Sequence, residues 1–238
     1  WPSISATVGR ATSERRASLP SAVVVPQRLV NMNQGGVVTP GQFAGRMGKR
    51  HDPWFIEASP YRGDDVKGAY PGHAFRRRTE TLVEDQSQFR APVLTLPEGL
   101  THARMLRRDR LLRNIDRQRR GLQESVGVQR VNRFRESVVT LLTDPKVRRA
   151  FDVGGADART ADRYGRNAFG WTLLMARRLL DAGVTLVQAN LGNYNTWDLH
   201  GGIFKISRDW LYPPADQAIS ALLEDLAASG QLDETLVV

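Results

Sequence analysis

The run RYGRNAFGWTLLMARRLLDAGVTLVQANLG, residues 163 to 192, restricts the fold more than any other part of this chain. Phe169, Leu173, Ala176, Leu179 and Leu180 recur at helical spacing and form one apolar face. Gly183 stands where a left-handed C-cap belongs, and the β-branched run VTLVQA (184–189) follows at once as a strand. Helix, tight turn and strand in succession are the grammar of a layered α/β fold. A second unit follows. Pro213, Ala215, Ile219, Leu222, Leu223 and Leu226 mark an amphipathic helix, Gly230 ends it, and ETLVV is expected as a further strand. Two such units predict a parallel sheet, whose ligands lie beyond the carboxyl ends of its strands.

Upstream, VVVP (23–26) predicts a strand stopped by its proline. The stretch that follows, NMNQGGVVTPGQFAGRMGKRHDPWFIEASP, is rich in turn residues and carries Phe43, Met47, Trp54 and Phe55 as anchors, so it predicts a long ordered excursion over a surface. From about 102 to 122, Leu106, Leu111, Leu112, Ile115 and Leu122 recur between eight arginines, the pattern of an Arg-coated amphipathic helix. A second helix is expected over about 129–142. In TDP (143–145), Asp144 is the expected N-cap, with Pro145 at the first helical position of a short helix.

Composition narrows the functional classes. No stretch approaches the roughly 20 apolar residues of a membrane span, so a membrane is not an expected partner. With no cysteine, these residues offer no disulfide, thiolate zinc site or cysteine nucleophile. Lys and Arg total 34 against 25 acidic residues, and the net charge of +9 favours an anionic partner such as nucleic acid, phosphate or sulfate ester. Thirty of the basic residues are arginine, a skew that codon bias in a GC-rich genome also produces. Nucleic acid is the weakest of these partners, since no aromatic side chains interleave with the arginines for base stacking. No phosphate-binding loop, dinucleotide fingerprint, nucleophile elbow or H-E-x-x-H motif is present.

The loop NLGNYNTWDLHGG (190–202) leaves the strand VTLVQA at its carboxyl end and holds Asp198 and His200. A two-residue spacing in an extended loop lets both side chains reach one side and share a divalent ion. Sixteen Asp and four His give roughly 0.3 chance Asp-x-His pairs in a chain of this composition. Metal ligation and a hydrogen-bonded loop histidine therefore both stand on the pattern alone. Gly192, Gly201 and Gly202 allow close backbone approach and favour the functional reading. His51 with Asp52 lies in a turn-rich stretch and is read as a surface turn, and His73 and His102 have no evident partners.

In order along the chain, WPSISATVGR, VVVP, GQFAGRMGKRHDPWFIE, LPEGLT with its Arg-rich helix, LLTDPKVRRAFDV, DRYGRNAFGWTLLMARRLLDAGVTLVQANLG, TWDLHGG and DQAISALLEDLAASGQLDETLVV resemble the bacterial family catalogued as domain of unknown function 1501, of the alkaline-phosphatase-like, sulfatase-like superfamily. The resemblance implies a three-layer α/β/α sandwich with a mainly parallel sheet and a metal cluster at its carboxyl edge. The family's usual Trp-Asp-Thr-His-Gly becomes Trp-Asp-Leu-His-Gly here, so Leu199 replaces a threonine while Asp198 and His200 remain as the implied ligands of a divalent ion, zinc, calcium or similar. His51 stands at a usual tyrosine position, which argues against it as a ligand.

Family members usually open with a twin-arginine export signal and a Gly-Gly-Pro-x-His-x-Asp segment, and continue into Gly-Glu-Phe-Gly-Arg. The resemblance thus implies an internal fragment, inactive alone, of one partial domain. Residues 1–100 form its turn-rich excursion, and 101–238 form helix and strand units of its core. The implied parent is an exported, metal-dependent hydrolase of phosphate or sulfate esters, with its nucleophile and remaining ligands elsewhere. The competing expectation is a non-catalytic binding protein that holds anionic polymers through its Arg-rich surface.

Overall fold

The computed structural model describes residues 1–12, 19–26, 29–31, 37–56, 58, 144–192, 196–199 and 201–238, with short pieces at 66–67, 73–76, 81–84 and between 101 and 114. The strands are β1 (Ala22–Val25), β2 (Val30–Asn31), β3 (Val37–Val38), β4 (Trp54–Phe55), β5 (Val66–Lys67), β6 (His73–Arg76), β7 (Thr81–Glu84) and β8 (Leu186–Ala189). The helices are α1 (Ile4–Ala11), α2 (Pro145–Phe151), α3 (Ala158–Tyr164), α4 (Ala168–Asp181), α5 (Ile203–Ile206) and α6 (Tyr212–Ala228).

The central sheet is parallel, in the order β4-β1-β8. Val23 and Val24 pair with Trp54 and Phe55, and Ala22 to Val25 pair in register with Leu186 to Ala189. All four residues of β1 are buried, as expected of a parallel strand covered on both faces. Val23 and Val25 point into the main core with Val147 of α2, Leu173, Met175 and Leu179 of α4, and Ala218, Leu222 and Leu226 of α6. On the other face α1 crosses closely: a Cβ on Gly9 would lie 3.2 Å from the Ala22 Cβ, and Ser5 Oγ donates to Gln188 Oε1 at 3.0 Å. One helix, three strands and a helical layer make the α/β sandwich that the sequence predicts. Two small antiparallel sheets, β2-β3 and β5-β6-β7, accompany it.

The unit α4–β8 forms as its local signals require. Asn167 caps α4, its Oδ1 accepting from the Phe169 and Gly170 amides at 3.0 and 3.1 Å. At the other end Gly183, at φ +94°, donates to Leu180 O, and Val184 N donates to Leu179 O. This six-to-one and five-to-two pair is a Schellman turn, and Val184 and Leu179 supply its apolar contact. Gly230 ends α6 with the same pattern, donating to Ala227 O while Gln231 N donates to Leu226 O. Asp144 caps α2 as expected, accepting from Lys146 N at 2.8 Å. Between α3 and α6, Tyr164 donates its hydroxyl to Asp225 Oδ2 at 2.8 Å, and Arg163 Nη2 donates to Oδ1 at 2.7 Å. Burial and the neighbouring carboxylate push the Tyr164 hydroxyl well above its ordinary value, so it stays a donor.

Three expectations need correction. The turn-rich excursion contains β4, an edge strand of the main sheet; two residues after Pro53 are too few for an alternating pattern to show. The buried face of α6 runs through Pro214, Ala215, Ala218, Ala221, Leu222 and Leu226, leaving Ile219 39% exposed and Leu223 only half-buried. Alanines let α6 approach α4 closely, so the contact follows the small residues rather than the largest ones. ETLVV forms no strand: Leu232–Glu234 is a 3-10 turn, and 235–238 pair with no neighbour among the described residues. Apolar, β-branched residues stabilise a strand only when a ladder partner lies alongside.

The described residues between 103 and 114 are helical, with Leu111 61% exposed. The rest of the predicted Arg-coated helix, and the helix expected over 129–142, lie outside the described residues. No helix among the described residues is long and apolar enough to cross a membrane.

Candidate functional site

Because β1, β4 and β8 run parallel, their carboxyl ends share one edge of the sheet. The ladder continues past each strand: Ile56 N donates to Val24 O, Ala58 N to Pro26 O and Asn190 N to Val25 O, at 2.9, 2.6 and 2.7 Å. Asn190, the first residue of the candidate loop, is thereby fixed to the central strand. Its Oδ1 accepts from Gln188 Nε2 at 3.1 Å, and Gln188 in turn accepts from Ser5 of α1. Sequence spacing gives no sign of this Ser5–Gln188–Asn190 chain, since its first two members lie 183 positions apart.

The loop is pinned again further on. Gly192 adopts φ +96°, and a Cβ there would run into the Thr196 side chain, which is fully buried. The Trp197 indole N–H donates to Leu191 O at 2.5 Å, and its ring stacks on the buried Phe169 with centroids 6.0 Å apart. A tryptophan in a glycine-rich polar loop was the available sign of this anchor. Leu199 is buried beside Phe169, Ile206, Leu211 and Ala215. That explains its apolar character: its side chain closes the small core beneath the loop. Between the two anchors, Asp198 is exposed. His200 lies outside the described residues.

A divalent ion takes four or more donors. Among the described residues no group of three or more His, Asp or Glu side chains gathers as a metal-binding cluster. The described part of the loop presents one exposed carboxylate, Asp198, of the kind that can ligate such an ion.

His51 sits at the opposite, amino edge, just ahead of β4. Its Nε2 faces Arg50 Nε at 2.9 Å and Arg10 Nη1 at 3.4 Å, so its lone pair is engaged by guanidinium donors. Partial loss of hydration, then the charges of Arg50 and Arg10, lower its pKa from 6.5. Asp52 Oδ1 accepts from Ala44 N at 2.7 Å and closes the turn. The pair is the surface turn read from the sequence.

The family model described as "Protein of unknown function (DUF1501)" matches residues 1–238. The chain belongs to the DUF1501 family. No curated protein and no solved structure matches it. In this DUF1501 chain Trp197 and Leu199 anchor the carboxyl-edge loop, with Asp198 exposed between them.

Proposed function

We propose that this chain carries part of an exported, metal-dependent hydrolase of phosphate or sulfate esters, of the alkaline-phosphatase-like type, in which Asp198 and His200 hold a divalent ion such as zinc or calcium. The observation that supports this most is Asp198, exposed on a loop pinned at the carboxyl edge of a parallel sheet, where ligands of such sheets bind. The buried Leu199 closes the small core beneath the loop, and its neighbour Asp198 is exposed. A bound ion supplies charge stabilisation to a phosphoryl or sulfuryl group. The protein's own part is positional: Asn190, Trp197 and Leu199 hold the loop backbone so that Asp198 is presented without rearrangement.

The non-catalytic reading, a phosphatase-like binder of anionic polymers, draws on the +9 charge. A screen of the intact protein against aryl phosphates and aryl sulfates separates the two. Turnover that disappears in Asp198→Ala supports the hydrolase. No turnover of any ester with divalent metal supplied, together with retained binding of a polyanion, favours the binder.

A further inference from the structure

A cleft of about 510 Å³ opens between α2, the end of α4 and the turn at 152–155, lined by Lys146, Arg149, Arg178, Asp152, Asp181 and small residues such as Ala150 and Ala182. It lies where α4 turns through Gly183 into β8, at the amino edge of the sheet, and is thus separate from the Asp198 loop.

Its charges are not evenly engaged. Asp152 Oδ1 accepts from Gly155 N at 3.1 Å, and Asp181 Oδ1 accepts from Arg177 Nη1 and from Gln231 Nε2 at 3.3 Å. Arg178 Nη1 donates to Arg149 O and Asp152 O at 3.0 and 2.6 Å. This contact fixes the guanidinium to the wall and covers two carbonyls at the end of α2, whose partial negative charge would otherwise face the cleft. The Nε and Nη2 of Arg178 remain without partners among the described residues. Lys146 and Arg149, three positions apart and so neighbours on one face of α2, form no ion pair among the described residues. Both carboxylates are bonded, while two exposed cations and a fixed guanidinium keep donors to spare.

We propose that this cleft is a binding site for a tetrahedral oxyanion, phosphate or sulfate, free or carried on a small organic molecule. Lys146 and Arg149 close on the charged group and Arg178 offers a fixed donor face. A guanidinium and an ammonium together match the spread charge of such a group. The volume lies within the range of small-molecule clefts, leaving room for an organic portion against Ala150 and Ala182.

The test is calorimetric titration of the intact protein, with chelator present, using inorganic phosphate and phenyl phosphate in turn. The expected result is binding that weakens about tenfold or more in Lys146→Ala/Arg149→Ala and is unchanged in Asp198→Ala. Equal affinity for the two probes assigns a free oxyanion; tighter phenyl phosphate assigns an organic ester. Lys146→Gln and Arg149→Gln singly, with ligand-free thermal melting, separate lost binding from lost folding. No binding by the wild-type protein, or binding that survives in the folded double variant, overturns the site. Loss in Asp198→Ala with retention in the double variant also overturns it, placing the anion at the other edge.

Discussion

Asn167 and Gly170 begin α4 together, and each fails differently when replaced. Asn167 is buried and satisfies two amides that have no helical partner, so Asn167→Ala is expected to cost about 1–2 kcal/mol in urea unfolding. A Cβ on Gly170 would overlap the carbonyl oxygens of Tyr164 and Gly165, which are backbone atoms and cannot swing aside. Gly170→Ala is therefore the more damaging change, about 3 kcal/mol, and the same urea series ranks the two. His51 allows a check by pH. Its pKa is lowered in the fold, so the unfolded chain takes up a proton first as pH falls through 6.5, and stability declines from there down through the folded value. The ring-proton NMR midpoint of His51 is expected below 6.5, and Arg50→Gln is expected to move it upward.

Among the elements, α4 and β8 were readable because the signals are local: an apolar face at helical spacing, a glycine at C′ and a β-branched run. Leu179 takes part in both the face and the turn, and it is fully buried. Leu179→Ala is expected to cost about 2–5 kcal/mol, measured by thermal or urea unfolding. Elsewhere the deciding information was not local. A strand as short as Trp54–Phe55 exists because β1 offers it a ladder, and ETLVV has none among the described residues. Ile219 and Leu223 carry as much apolar area as Leu222, yet only tertiary packing reveals that α6 turns its alanines inward.

For the molecule as a whole, the helix-to-strand signal of α4 and β8 reads as α/β, while the second, into ETLVV, forms no strand, and the joining of β1 to β8 across 160 residues is a property of the sheet alone. The same holds at the candidate loop. Asp198 and His200 form a chance-level pair in sequence, and the carboxyl-edge position of Asp198 is what supports the role proposed for them. The burial of Thr196 and Leu199, with the Trp197 ring stacked on Phe169, anchors the described part of that loop. Metal analysis of the intact protein, beside its Asp198→Ala and His200→Ala variants, tests the central claim most directly. Bound divalent metal in the wild type, with much of it lost in each folded variant, is the predicted result. Metal content unchanged in both variants would contradict the assignment of these two residues as ligands.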